Sequence, residues 1–236
     1  MTTPSSPTVE PRVVLAFYEG GIVLQKKTPD GATTGYPVDP AHVQEAFADV
    51  AVSSPILPAN VLCWGRVRGG HVFAWWRPPA RERLLVEVDE HVHTWNVPLP
   101  GVVLVCSPHG LGLAAVKGGN RPIASTPAYS MPLPNTDLLS PNLFATSGRV
   151  CMGSARLPGA PGPDSFDEVW GAYVRSTFNA HLSHHKSASY PDDVRGLLMS
   201  LHEQGSEVFP EDELVAGEAM SLEEFLRPWM DPRSPW

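Results

Sequence analysis

A chain of 236 residues can fold as one elaborated domain or two small ones, and its 42% hydrophobic content is enough for a packed core. With 25 acidic residues against 17 basic ones the formal charge is −8, which repels phosphate backbones and argues against nucleic-acid binding. The 26 prolines and 20 glycines exclude a simple helical bundle and predict many turns and strand ends.

Residues 1–12 are rich in Thr, Ser and Pro and carry neither a basic nor an apolar segment, so they read as a mobile tail rather than a signal peptide. Val13-Val14-Leu15-Ala16-Phe17-Tyr18, the turn Glu19-Gly20-Gly21 and Ile22-Val23-Leu24-Gln25 spell a hairpin. After a Gly/Thr-rich loop, a helical pattern starts at Asp39 or Pro40, places Val43, Phe47 and Val50 on one face, and is stopped by Pro55 and Pro58. Residues 61–67 and 71–76, around Gly69-Gly70, predict a second hairpin rich in β-branched and aromatic side chains. Its Trp64, Trp75 and Trp76 suit a core and a sheet surface better than a base-stacking platform. Strands at 84–88, 101–106 and 111–116 follow, the last two joined through Pro108-His109-Gly110, and complete an antiparallel meander.

From Gly118 to Pro163 no hydrophobic period survives. Ser165 and Glu168 then match a capping box, and Phe166, Val169, Trp170, Tyr173, Val174, Phe178 and Leu182 trace an apolar stripe that predicts a helix over 166–182. A second helix is expected over 191–204, with Val194, Leu197, Leu198 and Leu201 inward and Gly205 as its stop. A third begins at the Ser221-Leu222-Glu223-Glu224 cap, and residues 228–236 read as an extended tail with two tryptophans. The predicted class is α+β, an antiparallel β-meander with C-terminal helices packed on one face. The expected divisions are a tail (1–12), a β-rich N-terminal extension with a helix (13–100), a core carrying the cysteine loop (101–205), and a C-terminal tail with a short helix (206–236).

Cys63, Cys106 and Cys151 form no C-x-x-C pair and no zinc pattern, which fits free thiols in a reducing cytosol. No apolar run approaches the ~20 residues of a membrane helix, so a soluble cytoplasmic protein is expected. Cys63 and Cys106 lie inside strand-like apolar runs and read as core. Cys151 follows a turn-rich loop instead. Gly148 lets the chain turn sharply, and Arg149 would favour a thiolate if it points that way. The Asn142 carboxamide, after Pro141, is the kind of donor that holds an oxyanion; Asn135, in a second Pro-Asn pair, is the alternative for that role. His181, His184 and His185 share a helical face but lack a complementary carboxylate or cysteine, so no metal site is expected. His109 could serve Cys151 as a base only if folding joined them.

The stretch from Ser140 to Gly153 resembles the active-site signature of the E2 ubiquitin-conjugating fold: His-Pro-Asn, a short loop, a glycine, an apolar residue and the acceptor cysteine. The matching positions are Ser140, Pro141, Asn142, Gly148, Val150 and Cys151. Serine stands where that family has histidine, and the loop from Asn142 to Cys151 is one residue longer than the common form. The Pro-Asn…Gly-Arg-Val-Cys-Met-Gly loop and the Trp170 helix also resemble the B-protein family of the PRTRC plasmid cassette, a bacterial E2-like family encoded with a ThiF-type activating enzyme. The resemblance implies a carrier that accepts a ubiquitin-like protein as a thioester on Cys151. Asn142 would be the oxyanion donor, and Ser140, Pro141, Gly148 and Arg149 would support the loop. It implies no metal or organic cofactor. The implied partners are a ThiF-like (E1-like) activator, a ubiquitin-like protein and a JAB-type protease. The alternatives are a non-catalytic E2-like binding module and a thiol hydrolase pairing Cys151 with His109.

Overall fold

The computed structural model describes residues 13–28, 31–43, 57–67, 69–139, 148–153, 161–215 and 220–230. The chain divides into two compact units between Pro55 and Ile56. In the first, β1 (Val13–Tyr18) and β2 (Gly21–Lys27) form the expected hairpin. A strand not expected from its Gly/Thr-rich sequence, β3 (Thr33–Val38), extends it to three antiparallel strands, with Leu15, Leu24 and Tyr36 in register on one face. Of the helix expected near 39–50, residues 40–43 are helical and the Asp39 carboxylate caps the Ala41 N–H at 2.8 Å; the remainder lies outside the described residues.

The second unit opens with six strands joined by tight turns: β4 (Val61–Val67), β5 (Gly70–Arg77), β6 (Ala80–Val88), β7 (His91–Leu99), β8 (Gly101–Ser107) and β9 (Gly110–Val116). They are antiparallel, as expected, but the meander is interrupted. The β6–β7 hairpin leaves to form its own sheet, and β5 pairs directly with β8, giving a four-stranded order β4-β5-β8-β9. The boundary expected at residue 100 therefore falls inside one paired sheet. The strand β7 was missing from the sequence reading because its first half, His91 to Thr94, is exposed and polar enough to lack an apolar signal.

Alternation along β5, β8 and β9 buries both faces of the sheet. Phe73, Trp75, Val102, Leu104, Cys106, Leu111 and Leu113 point into one cluster, completed by α1 (Phe166–Val174) and α2 (Val194–Glu203). Val72, Ala74, Val103, Val105, Ala114 and Val116 point into the other, covered by α3 (Leu222–Met230). Packing on one face thus holds for α1 and α2, while α3 covers the opposite face. None of the helices among the described residues is long and apolar enough to cross a membrane.

The helix ends differ from expectation in instructive ways. α1 stops at Val174, and the chain enters β10 (Thr177–Phe178), which pairs in parallel with Leu85 and Val86 of β6. Phe178 is fully buried, as its place in the apolar stripe implied, but a strand rather than a helix takes it there. His181, His184 and His185 consequently share no helical face. Ser165 does not close a capping box; its hydroxyl accepts the Gly162 N–H at 2.9 Å. α2 starts at Val194, where the Asp193 carboxylate accepts the Arg195 N–H at 3.0 Å. At α3 the capping box is complete: the Ser221 N–H donates to Glu224 Oε2 at 2.8 Å, and the Glu224 N–H donates to Ser221 Oγ at 3.3 Å.

Residues 228–230, read as tail from the sequence, belong to α3, and Trp229 is buried. Its indole lies where a Cβ on Gly112 would stand, 2.4 Å from Cζ2, so only glycine fits beneath it. Trp229→Ala should empty that site and lower stability by about 3–5 kcal/mol in urea unfolding, the usual cost of deleting a buried aromatic; an unchanged midpoint would show that α3 does not cover this face.

Candidate active site

The three thiols occupy different surroundings. Cys106 is buried and Cys63 half-buried, and burial pushes their pKa values up to about 12 and about 11, so both stay protonated near neutrality. Cys151 is exposed.

Cys151 is carried by a short extended segment inserted between β9 and residues 136–138. The Leu113 N–H donates to the Gly148 carbonyl, the Val150 N–H to the Leu111 carbonyl and the Asp137 N–H to the Arg149 carbonyl, each at 2.8 Å. Isolated bridges join Gly112 to Arg149 and Thr136 to Val150. Gly148 enters this segment at φ +68°, and a Cβ there would lie 2.6 Å from the Leu113 carbonyl and 2.8 Å from the Phe225 ring. The glycine expected to permit a sharp turn is required by both its dihedral and its packing.

On the far side of the segment is the turn Leu133-Pro134-Asn135-Thr136, with Asn135 left-handed at φ +59°. Only its Asn135 carbonyl pairs as part of a β-bridge, and each of its four carbonyls has a partner from a remote part of the chain. The Lys186 ammonium, 1% exposed, donates to the Leu133 carbonyl at 2.6 Å and to the Thr136 carbonyl. The Tyr173 hydroxyl reaches the Pro134 carbonyl at 3.4 Å and Thr136 Oγ1 at 2.9 Å. The Asn135 carbonyl accepts the Cys151 N–H at 2.8 Å. In return the Asn135 N–H donates to the His181 carbonyl at 2.8 Å, and its Nδ2 to the Thr177 carbonyl at 3.2 Å.

Asn135, Cys151, Met152, Gly153, Ser176, Thr177, Asn179 and His181 line a cleft of about 390 Å³. Beside it, burial pushes the Asp137 carboxyl up against the opposing pull of Lys186, Arg149 and His181. The Arg149 guanidinium lies by the β8–β9 turn, with Nη2 3.4 Å from the His109 carbonyl, so its contact is with that turn. Of the sequence candidates, Gly148, Arg149, Cys151 and the alternative Asn135 are brought together here, whereas Ser140, Pro141 and Asn142 lie outside the described residues. Sequence reasoning missed Lys186 and gave His181 to a helix. A lysine between two histidines and a serine carries no signal of burial, and the left-handed turns at Leu182 (φ +55°) and His185 (φ +59°) that end any helical period there have no glycine to mark them.

The sequence profile of prokaryotic E2 family D matches residues 41–217, three quarters of the chain. No curated protein and no solved structure matches it.

Brief iodoacetamide treatment of the native protein at neutral pH should label Cys151 and spare Cys63 and Cys106, as read by peptide mass mapping. Comparable labelling of Cys106 would contradict its burial. Burial also pushes the Lys186 pKa down to about 7, against about 10.4 in an unfolded chain. Between those values the unfolded chain holds a proton that the folded chain lacks, so this group makes stability rise with pH; below about 7 both states hold it and its cost is constant. Urea unfolding at about pH 7 and 9 should therefore show the wild type gaining stability relative to Lys186→Met. Equal changes in both proteins would mean that another group titrates.

Proposed function

The chain belongs to the prokaryotic E2 family D, and on that premise we propose that it carries a ubiquitin-like protein as a thioester on Cys151 and passes it to an amine. The observation that supports this most is the exposure of Cys151 in the lining of a cleft, while the other two thiols sit in the sheet with raised pKa values. The Cys151 thiolate attacks the modifier's C-terminal carbonyl, which arrives as a thioester on an activating enzyme. One carbon–sulfur bond forms, the donor's breaks, and the donor leaves as thiolate. ATP is consumed upstream by the activator, and the transfer calls for no metal or organic cofactor.

Two carboxamides compete to hold the oxyanion. Asn135 lines the cleft and has one Nδ2 hydrogen directed at Thr177, which leaves the second for the substrate. Asn142, with Ser140 and Pro141 in the adjoining loop, matches the E2 signature by sequence. A ThiF-like activator, a ubiquitin-like protein and a JAB-type protease, encoded together in a plasmid cassette of the PRTRC kind, complete the proposal.

A non-reducing gel of the protein with ATP, the activator and the modifier should show a heavier band that reductant removes. Cys151→Ala should abolish that band, and Cys63→Ala and Cys106→Ala should keep it. Asn135→Ala or Asn142→Ala, whichever is the donor, should slow discharge by about 10²–10³-fold. An activator that charges itself while no adduct forms would overturn the reading.

A further inference from the structure

We propose that His181 is the proton acceptor for the nucleophile that discharges Cys151, and that the cleft accordingly takes a protonated primary amine of the lysine type. The proposal rests on the thioester reading above and specifies its acceptor step. Among the described residues that line the cleft, Asn135, Met152, Ser176, Thr177 and Asn179 have side chains that cannot accept a proton near neutrality, and none is a carboxylate. His181 can. Its position is fixed by the same turn that fixes the cysteine: the His181 carbonyl accepts the Asn135 N–H at 2.8 Å, and the Asn135 carbonyl accepts the Cys151 N–H at 2.8 Å. The His181 N–H is held by Asn179 Oδ1 at 2.9 Å, so the short loop after β10 is set from both ends.

An alkyl ammonium has no electron pair to attack with, and lysine holds its proton up to about pH 10.4. The ammonium first gives one proton to the imidazole, which passes it to solvent; the neutral amine nitrogen then bonds to the thioester carbonyl, its second proton passes to the imidazole, the carbon–sulfur bond breaks, and the electron pair returns to Cys151 Sγ. The imidazolium then gives its proton to the thiolate or to solvent. The charges around this transfer are mixed. The Asp137 carboxyl feels Lys186, Arg149 and His181 together, each favouring its ionised form against burial. His184 and His185, whose rings contact each other, follow in the same loop.

The test uses the full chain acetylated on Cys151 with p-nitrophenyl acetate, with discharge followed by intact mass. The acceptors are Nα-acetyl-lysine amide, which must lose a proton, and hydroxylamine, which is already neutral. His181→Gln should slow discharge to the lysine amine by about 10²-fold or more and flatten its rise between about pH 6 and 9, while leaving hydroxylamine discharge unchanged. Imidazole added to His181→Ala should restore part of the lysine rate. Equal slowing with both acceptors would assign His181 a structural role, and no slowing with either would remove it from the reaction; both results overturn the proposal. A normal acetyl discharge pattern without any modifier adduct would sink the carrier reading alone, and a modifier adduct with an indifferent His181→Gln would sink this inference alone.

Discussion

The site depends on one buried lysine. Removing the Lys186 ammonium from water is costly, and its neighbourhood offers Asp137 as the opposing charge together with the two carbonyls it caps. Those carbonyls, of Leu133 and Thr136, bracket a turn that no regular ladder could satisfy, because Pro134 has no N–H and Asn135 is left-handed. Without the lysine, two buried acceptors would be stranded, each worth roughly 1–3 kcal/mol. With it, the turn becomes a fixed point from which the Cys151 N–H, the Asn135 carboxamide and the His181 carbonyl all take their positions. The Tyr173 hydroxyl secures the same turn from α1, where burial pushes the phenol up and keeps it a donor.

The second support is the edge of the four-stranded sheet. β9 is the last strand of its sheet, and an uncovered edge invites pairing with another chain. Tyr129 covers it near Ala115, and the segment from Gly148 to Val150 covers it near Leu111 to Leu113. This protection also gives the cysteine loop a rigid base, since the backbone just before Cys151 is bonded on both sides. Beneath it, Phe225 of α3 packs against Gly148 and Trp229 against Gly112. The C-terminal helix is therefore structurally continuous with the site, although none of its residues lines the cleft.

How much of this could be read from the residues follows from which interactions are local. The apolar alternation of β5, β8 and β9 is continuous, and those strands were legible, as was the buried place of Cys106; Cys63 is only half-buried. The capping box at Ser221 was legible because its reciprocal bonds span three residues. The same pattern at Ser165 misled, because the hydroxyl found Gly162 first. The helical stripe through Phe178 misled for a related reason: burial of that ring is demanded by either structure, and pairing with β6, distant in sequence, decided for the strand. The polar half of β7 and the Gly/Thr composition of β3 left no local trace. At the site, Gly148 and Cys151 could be named from spacing. The contacts from Lys186 and Tyr173 that hold the Pro134-Asn135 turn could not, since both come from residues distant in sequence.

A cysteine held in this way is positioned almost wholly by backbone groups. The neighbours that set its place are the carbonyls of Asn135, Leu111 and Gly148, the N–H groups of Leu113 and Asp137, and a glycine with no side chain. Apart from Gly148, these bonds make no demand on side-chain identity within the segment. The turn beside the segment is braced by Lys186, 35 residues beyond the cysteine. Among the described residues, the side chains lining the cleft include no lysine, arginine or carboxylate, and His181 is the one imidazole. In the proposed carrier that imidazole would decide which nucleophiles reach the thioester in reactive form.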